Sequence, residues 1–214
     1  CGYCALRCAH PDQRSQKAGM TRWRNSKEAY GILAQALHWC VALLVFMQLA
    51  LGVYAANLPV SMARLRWLSY HKSLGLTILA LVLLRLLWRW IDTPPPLPKA
   101  MPTWERRAAS AMHWALYLVP VLAILAGWLY ASATGLSVNW FGLMLIPDLI
   151  PKNSELAPLL KGLHLGLVAL LVLLLIGHIG AAARHAFVLR ATLVRRRLPI
   201  RRQGDKYWRQ GSMW

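Results

Sequence analysis

The stretch HLGLVALLVLLLIGH, residues 164–178, begins and ends in histidine and has only apolar residues and glycines between. An imidazole in such surroundings is costly unless it is hydrogen-bonded or ligates something. A neutral imidazole can accept a proton, relay one, or give a lone pair to a metal. The spacing narrows the choice. Fourteen helical residues turn through roughly 320° beyond whole turns, so His164 and His178 point to about the same side, about 21 Å apart along the axis. His38 lies in another apolar run and His71 at the start of a third. The chain therefore offers four imidazoles that could work in pairs.

Those side chains need elements to carry them. Of the 214 residues, 57% are hydrophobic and the mean hydropathy is +0.40, which exceeds the usual soluble composition. The apolar residues fall in four runs, at about 32–54, 68–88, 108–131 and 159–187. Each is long enough, as a helix, to cross a hydrocarbon core of about 30 Å. Strands would need a closed barrel and alternating polarity, which the runs lack. The expected fold is all-α: a four-transmembrane-helix bundle, with a local kink at Pro120 in the third helix. Net charge is +18, but Lys and Arg gather at the run ends, as insertion requires, rather than on one docking face. This excludes nucleic-acid binding. Trp67, Trp88, Trp90, Trp104 and Trp140 sit at run ends, where indoles favour the headgroup level.

Basic residues fix the orientation. Arg22, Arg24 and Lys27 precede the first run. Arg89, Lys99, Arg106 and Arg107 lie in or beside the second connection. Arg190, Arg195, Arg196, Arg197, Arg201 and Arg202 follow the fourth run. The first and third connections carry fewer positive charges, so both termini are expected to be cytoplasmic. DTPPPLPKAMP reads as a stiff linker, and LSVNWFGLMLIPDLIPKNSELAP as a long outer loop with room for a short interfacial helix. No cleavable signal peptide and no internal repeat is seen. The chain divides into an N-terminal tail (1–28), a four-helix domain (29–190) and a basic tail (191–214). Met20 is the expected natural start, with residues 1–19 an artefact of start-site choice or a tail. The N-terminal CGYCALRC could suggest a metal cluster, but it lies in that tail, ahead of the expected start at Met20. Cys40 reads as a small core residue, and no Cys-x-x-Cys-His for covalent haem attachment occurs.

Antiparallel helices bring the histidines to matching depths. His38 and His178 both fall near the cytoplasmic side, and His71 and His164 near the outer side. Two imidazoles facing across a bundle supply the axial positions of a six-coordinate b-type haem. Zinc would want four N, S or O ligands at each depth, and no Cys or carboxylate is there. The sequence thus predicts two non-covalent haems b held by His38, His71, His164 and His178. Gly75, Gly166, Gly177 and Gly180 would let a macrocycle approach the backbone, although glycine also serves helix packing. Arg85, fourteen residues after His71, reaches the inner depth and suits a haem propionate; snorkelling to headgroups is the other reading. Lys72, Arg64 and Arg66 could serve the outer haem or form a positive substrate entrance. His113 is a lesser candidate ligand, with hydrogen-bonding or quinone-facing roles open to it. His185 reads as interfacial, and His10 lies in the tail.

With LHW on the first helix, YHKSLGLTILALVLLRLLWR on the second, TPPPLP in the linker and HLGLVALLVLLLIGH on the fourth, the sequence resembles the bacterial cytochrome b561 family over about residues 29–190. The resemblance implies a four-helix, di-haem cytochrome of the bacterial inner membrane, with ligands at His38, His71, His164 and His178. It also implies electron exchange with ubiquinone, and the best characterised members look like superoxide oxidases. Its expected partners are the lipid bilayer, ubiquinone, and superoxide or a redox partner protein. One expected function is a superoxide:ubiquinone oxidoreductase. Another is a haem-b relay and anchor subunit of a larger respiratory oxidoreductase. A third, a haem-free transporter or scaffold, would give a colourless protein.

Overall fold

The computed structural model describes residues 23–26, 29–95 and 102–184. The N-terminal cysteine cluster, His10, much of the proline-rich linker, His185 and the basic C-terminal tail lie outside these residues. Four helices carry the fold: α1 (Ile32–Asn57), α2 (Met62–Ile91), α3 (Thr103–Thr134) and α4 (Leu156–Ala183). All four are long and apolar enough to cross a membrane. At their N-termini α1 to α3 match or outrun the apolar runs, since flanking polar residues continue the helix beyond the hydrocarbon. Local signals set several ends. The Ser61 hydroxyl accepts from the Arg64 N–H at 3.3 Å and caps α2, leaving one fewer unpaired donor in the first turn. Gly135, at φ +73, turns the chain left-handed after α3, a conformation that costs glycine little. Helix α3 continues through Pro120, which is buried within it.

The helices run up and down. α1 packs on α2, α3 packs on α4, and α2 joins the two pairs through α3. Among the described residues, neither α1 nor α2 makes close backbone contact with α4. Val41, Val45, Ile78, Val82, Tyr117, Val119 and Leu171 form the shared core, drawn from all four helices. Much of the remaining apolar surface faces outward, as at Leu173 and Ile176 of α4. Lipid is the matching solvent for such a surface, because burying it between helices would gain little over acyl chains.

The two ends of the bundle are tied differently. At the end holding the start of α1 and the end of α2, Asn25 joins three segments. Its N–H donates to Asp92 Oδ2 at 2.8 Å, its Nδ2 to the Asp92 carbonyl at 2.9 Å, and its Oδ1 accepts from the Gly31 N–H at 2.9 Å. Arg184 and Glu105 pair at 3.5 Å between the end of α4 and the start of α3. This is called the basic end below. At the opposite end, the loop expected to have room for an interfacial helix instead forms an antiparallel hairpin, β1 (Val138–Trp140) and β2 (Met144–Ile146). Positive φ values at Phe141 and Gly142 reverse the chain too sharply for a helix, as they do in hairpin turns.

Candidate functional site

Helix α4 contributes one imidazole at each level, and each meets a partner from the other helix pair. His71 and His164 have ring centres 6.3 Å apart with planes at 86°. His38 and His178 have ring centres 6.4 Å apart with planes at 73°. In both cases the rings span the divide where α4 makes no close backbone contact with α1 or α2. Two imidazoles sharing one metal, each nitrogen about 2 Å from it, place their ring centres roughly 6 Å apart. Both pairs have that separation. Among the described residues no group of three or more His, Cys, Asp or Glu converges on a point. The facing pairs offer two imidazole nitrogens at the hairpin end and, with His113 beside His178, imidazoles alone at the other end, which suits a metal whose other positions are filled by a macrocycle.

The hairpin-end pair is seated by glycines on the facing helices. A Cβ added at Gly52 of α1 would lie 2.9 Å from His71 Cε1, and one added at Gly127 of α3 would lie 3.0 Å from His164 Nδ1. His164 Nδ1 donates to the Ala123 carbonyl at 2.8 Å. A carbonyl only accepts, so that nitrogen carries the proton and the lone pair of the neutral ring is left on Nε2. Such a carbonyl contact orients many metal-ligating histidines. His71 is held from α1 by Gln48, whose Nε2 donates to the His71 carbonyl at 3.0 Å and lies 3.3 Å from His71 Nε2. His71 Nδ1 is buried without a hydrogen-bond partner. The crossing of α1 and α2 is reciprocal: Gly52 makes room for His71, and Gly75 makes room for Gln48, 3.1 Å from where its Cβ would stand.

The basic-end pair opens on a cleft lined by His38, Arg85, Arg89, His113, Leu116, Tyr117 and His178. A second cleft shares His38, Arg85, Arg89 and Tyr117 and reaches Asn25, Tyr30, Gln35, Trp88 and Asp92. Arg85 lies over the Tyr117 ring at 5.1 Å and Arg89 over the Trp114 ring at 5.6 Å. Two guanidinium groups thus stand beside a histidine pair and suit an anionic substituent there. His113 is 5.7 Å from His178, ring centre to ring centre, nearer than His38.

The remaining residues singled out in the sequence fall in several places. Gly75 sits against Gln48, Gly177 against Met112, and Gly166 and Gly180 have nothing within 4 Å of an added Cβ. The glycines that seat rings, Gly52 and Gly127, lie on the partner helices, where spacing from a histidine gives no signal. Arg64 and Arg66 occupy the first turns of α2 at the hairpin end. Lys72 Nζ donates to the carbonyls of Leu136 and Ser137 at 2.9 and 3.1 Å, so it pins the chain just after α3. Gln48 and Arg89 lie outside the histidine pattern. An amide in the middle of an apolar helix is the sequence signal for Gln48, and the one-turn spacing from Arg85 that for Arg89.

The model of prokaryotic cytochrome b561 matches residues 29–198. The chain belongs to this family. The cytochrome is 32% identical to "Cytochrome b561 homolog 2" of Escherichia coli (strain K12) over 169 residues, 77% of this chain and 88% of the relative. It is 28% identical to "Cytochrome b561 homolog 1" of the same organism over 167 residues, 78% and 94%. It is 32% identical to "Probable superoxide oxidase CybB" of Yersinia pestis over 176 residues, 81% and 97%. Family membership makes the chain a membrane haem protein of the electron-transport, oxidoreductase-like kind. The seated imidazoles, the nitrogen-only donor pairs and the arginine-lined cleft fit haem b.

Proposed function

We propose that this cytochrome holds two haems b, one per histidine pair, and passes electrons from a donor on the outer side of the bacterial inner membrane to ubiquinone. The observation that carries the reading is the pair of imidazole–imidazole separations, 6.3 and 6.4 Å, at the two ends of one helix. His71 and His164 would hold the outer group, and His38 and His178 the inner one. Bound haem supplies reversible one-electron chemistry, which no side chain here offers. The protein's own tasks are to orient the imidazoles, exclude water and balance charge. Gln48 and the Ala123 carbonyl orient the outer rings. Arg85 and Arg89 would offset propionate charge on the inner side, in a medium where an unpaired guanidinium is costly.

Superoxide is the proposed donor, as the name of the Yersinia relative indicates for that protein. Its single negative charge suits the positive first turns of α2, with Arg64 and Arg66. The placement of both termini in the cytoplasm follows from the positive residues of the flanks. Pyridine haemochrome analysis of the purified protein should give two haems b per chain; one or none removes the di-haem reading. Rapid mixing with superoxide should reduce haem faster than spontaneous dismutation consumes the radical, and added ubiquinone should re-oxidise it. Reduction by a co-purifying partner, but not by superoxide, would make the chain a relay subunit.

A further inference from the structure

The hairpin follows α2 inward and returns. Along β1, Lys72 bonds the carbonyls of Leu136 and Ser137, Ser73 Oγ lies 3.0 Å from the Asn139 carbonyl, and Trp140 Nε1 donates to Thr77 Oγ1 at 3.1 Å. The Phe141 N–H donates to Ser73 Oγ at 3.0 Å. The chain thus passes from the level of Lys72 to that of Ser73, which meets both Asn139 and Phe141, and the Trp140 side chain reaches one turn deeper to Thr77. β2 climbs back beside β1, and beyond it Asp148 accepts from the Ser137 hydroxyl at 2.7 Å.

The depth of the hairpin turn can be read against α2. Trp67 and Tyr70 stack edgewise at 5.8 Å, and Trp67 meets Tyr54 of α1 at 5.3 Å. Such an aromatic cluster marks the headgroup level. Ser73 and Thr77 lie three and seven residues beyond Tyr70, about 5 and 10 Å further toward the bilayer centre. On α4, exposed Lys161 precedes His164 by three residues and marks a similar boundary. The turn nevertheless presents Leu143, Met144 and Leu145 outward, at 78%, 56% and 68% exposure.

We propose that β1–β2 is a re-entrant hairpin whose turn lies below the headgroups of the leaflet at that end, with Leu143, Met144 and Leu145 against acyl chains. Non-helical backbone survives at membrane depth only where protein satisfies its polar groups. Here the ladder pairs Val138 with Ile146 and Trp140 with Met144. The Leu143 N–H donates to the Trp140 carbonyl at 2.9 Å, and Ser73, fully buried, takes the Phe141 N–H. Lys72 would be costly in hydrocarbon, and two carbonyls hold its ammonium, as intramembrane cations require. The apolar side chains then continue the lipid-facing surface of the helices. None of this depends on the electron-transfer reading.

The test is site-directed spin labelling of the full chain in phosphatidylethanolamine–phosphatidylglycerol vesicles. Cys1, Cys4, Cys8 and Cys40 are replaced by serine, and one cysteine is placed at a time by Leu143→Cys or Leu145→Cys. Leu173→Cys in mid-α4 and Glu155→Cys before α4 are the references. Collisions with oxygen, which partitions into lipid, are compared with collisions with an aqueous nickel chelate. Labels at 143 and 145 should give oxygen-favouring ratios, on the side of 173 rather than of 155. A chelate-favouring ratio at both, as at 155, overturns the proposal and makes the patch a face for an aqueous partner. Both side chains are exposed, so neither label has to enter the core.

Discussion

His164 shows how much one hydrogen bond decides. Its Nδ1 proton is taken by the Ala123 carbonyl, so Nε2 keeps the lone pair that a metal needs. His164→Ala should remove the hairpin-end haem and leave the other, halving the haem-to-protein ratio; His178→Ala should do the reverse. Loss of the same haem from both variants, seen in redox difference spectra, would break the pairing by level. His113 is the competitor, since its ring is nearer His178 than the His38 ring is. Because His38 comes from across the divide, His38→Ala should lose the basic-end haem and His113→Phe should keep it. The opposite outcome would transfer the ligand role to His113. Gly127 offers a third check. Its added Cβ would stand 3.0 Å from the His164 ring, and overpacking of that kind costs about 1–3 kcal/mol. Gly127→Val should weaken retention of the hairpin-end haem, measured by haem release on heating, and spare the basic-end haem.

Among the elements, the hairpin and α2 act together. Ser73 receives the Phe141 N–H and lies within bonding distance of the Ser69 and Asn139 carbonyls. Phe141 has a left-handed φ of +50, which a bulky residue adopts at a cost of roughly 1–2 kcal/mol, and this anchor helps offset it. Ser73→Ala removes the partner of the part-buried Phe141 N–H, a loss of about 1 kcal/mol. Since Ser73 is two residues from His71, the variant should lower the temperature at which the hairpin-end haem is released. Equal release temperatures for variant and wild type would show that the hairpin does not steady that site. The pairing of α1 with α2 and of α3 with α4 has a similar meaning. Strong packing within pairs, with the α4 backbone set apart from α1 and α2, leaves a gap that the facing imidazoles span beside the shared apolar core.

At the scale of the whole molecule, charge and lipid-facing surface dominate. An anionic substrate approaching the hairpin end would be steered by Arg64 and Arg66, because exposed positive charge raises encounter rates and salt screens it. Neutralising both with glutamine should slow haem reduction by superoxide, by about tenfold at low ionic strength, and flatten its salt dependence. Lys72→Gln should change that rate less, since its ammonium is engaged by two carbonyls. If Lys72→Gln slows the reaction as much as the double variant, the entrance runs over the hairpin.

The spans, their antiparallel course and the two histidine levels were legible in the sequence. Apolar length, helical rise and the distribution of arginine are one-dimensional quantities, and hydrocarbon leaves the backbone few alternatives to a helix. The fourteen-residue intervals in α2 and α4 carried the same information to His71, Arg85, His164 and His178. What only the tertiary structure decided lies between elements. Gly52 and Gly127 seat rings from other helices, Gln48 holds His71 from across a helix crossing, and Arg89 joins Arg85 in the cleft. The third connection forms a hairpin because Ser73, Thr77 and Lys72 on α2 supply its partners. Contacts of this kind depend on rotation and crossing of helices, which periodicity within one helix does not encode.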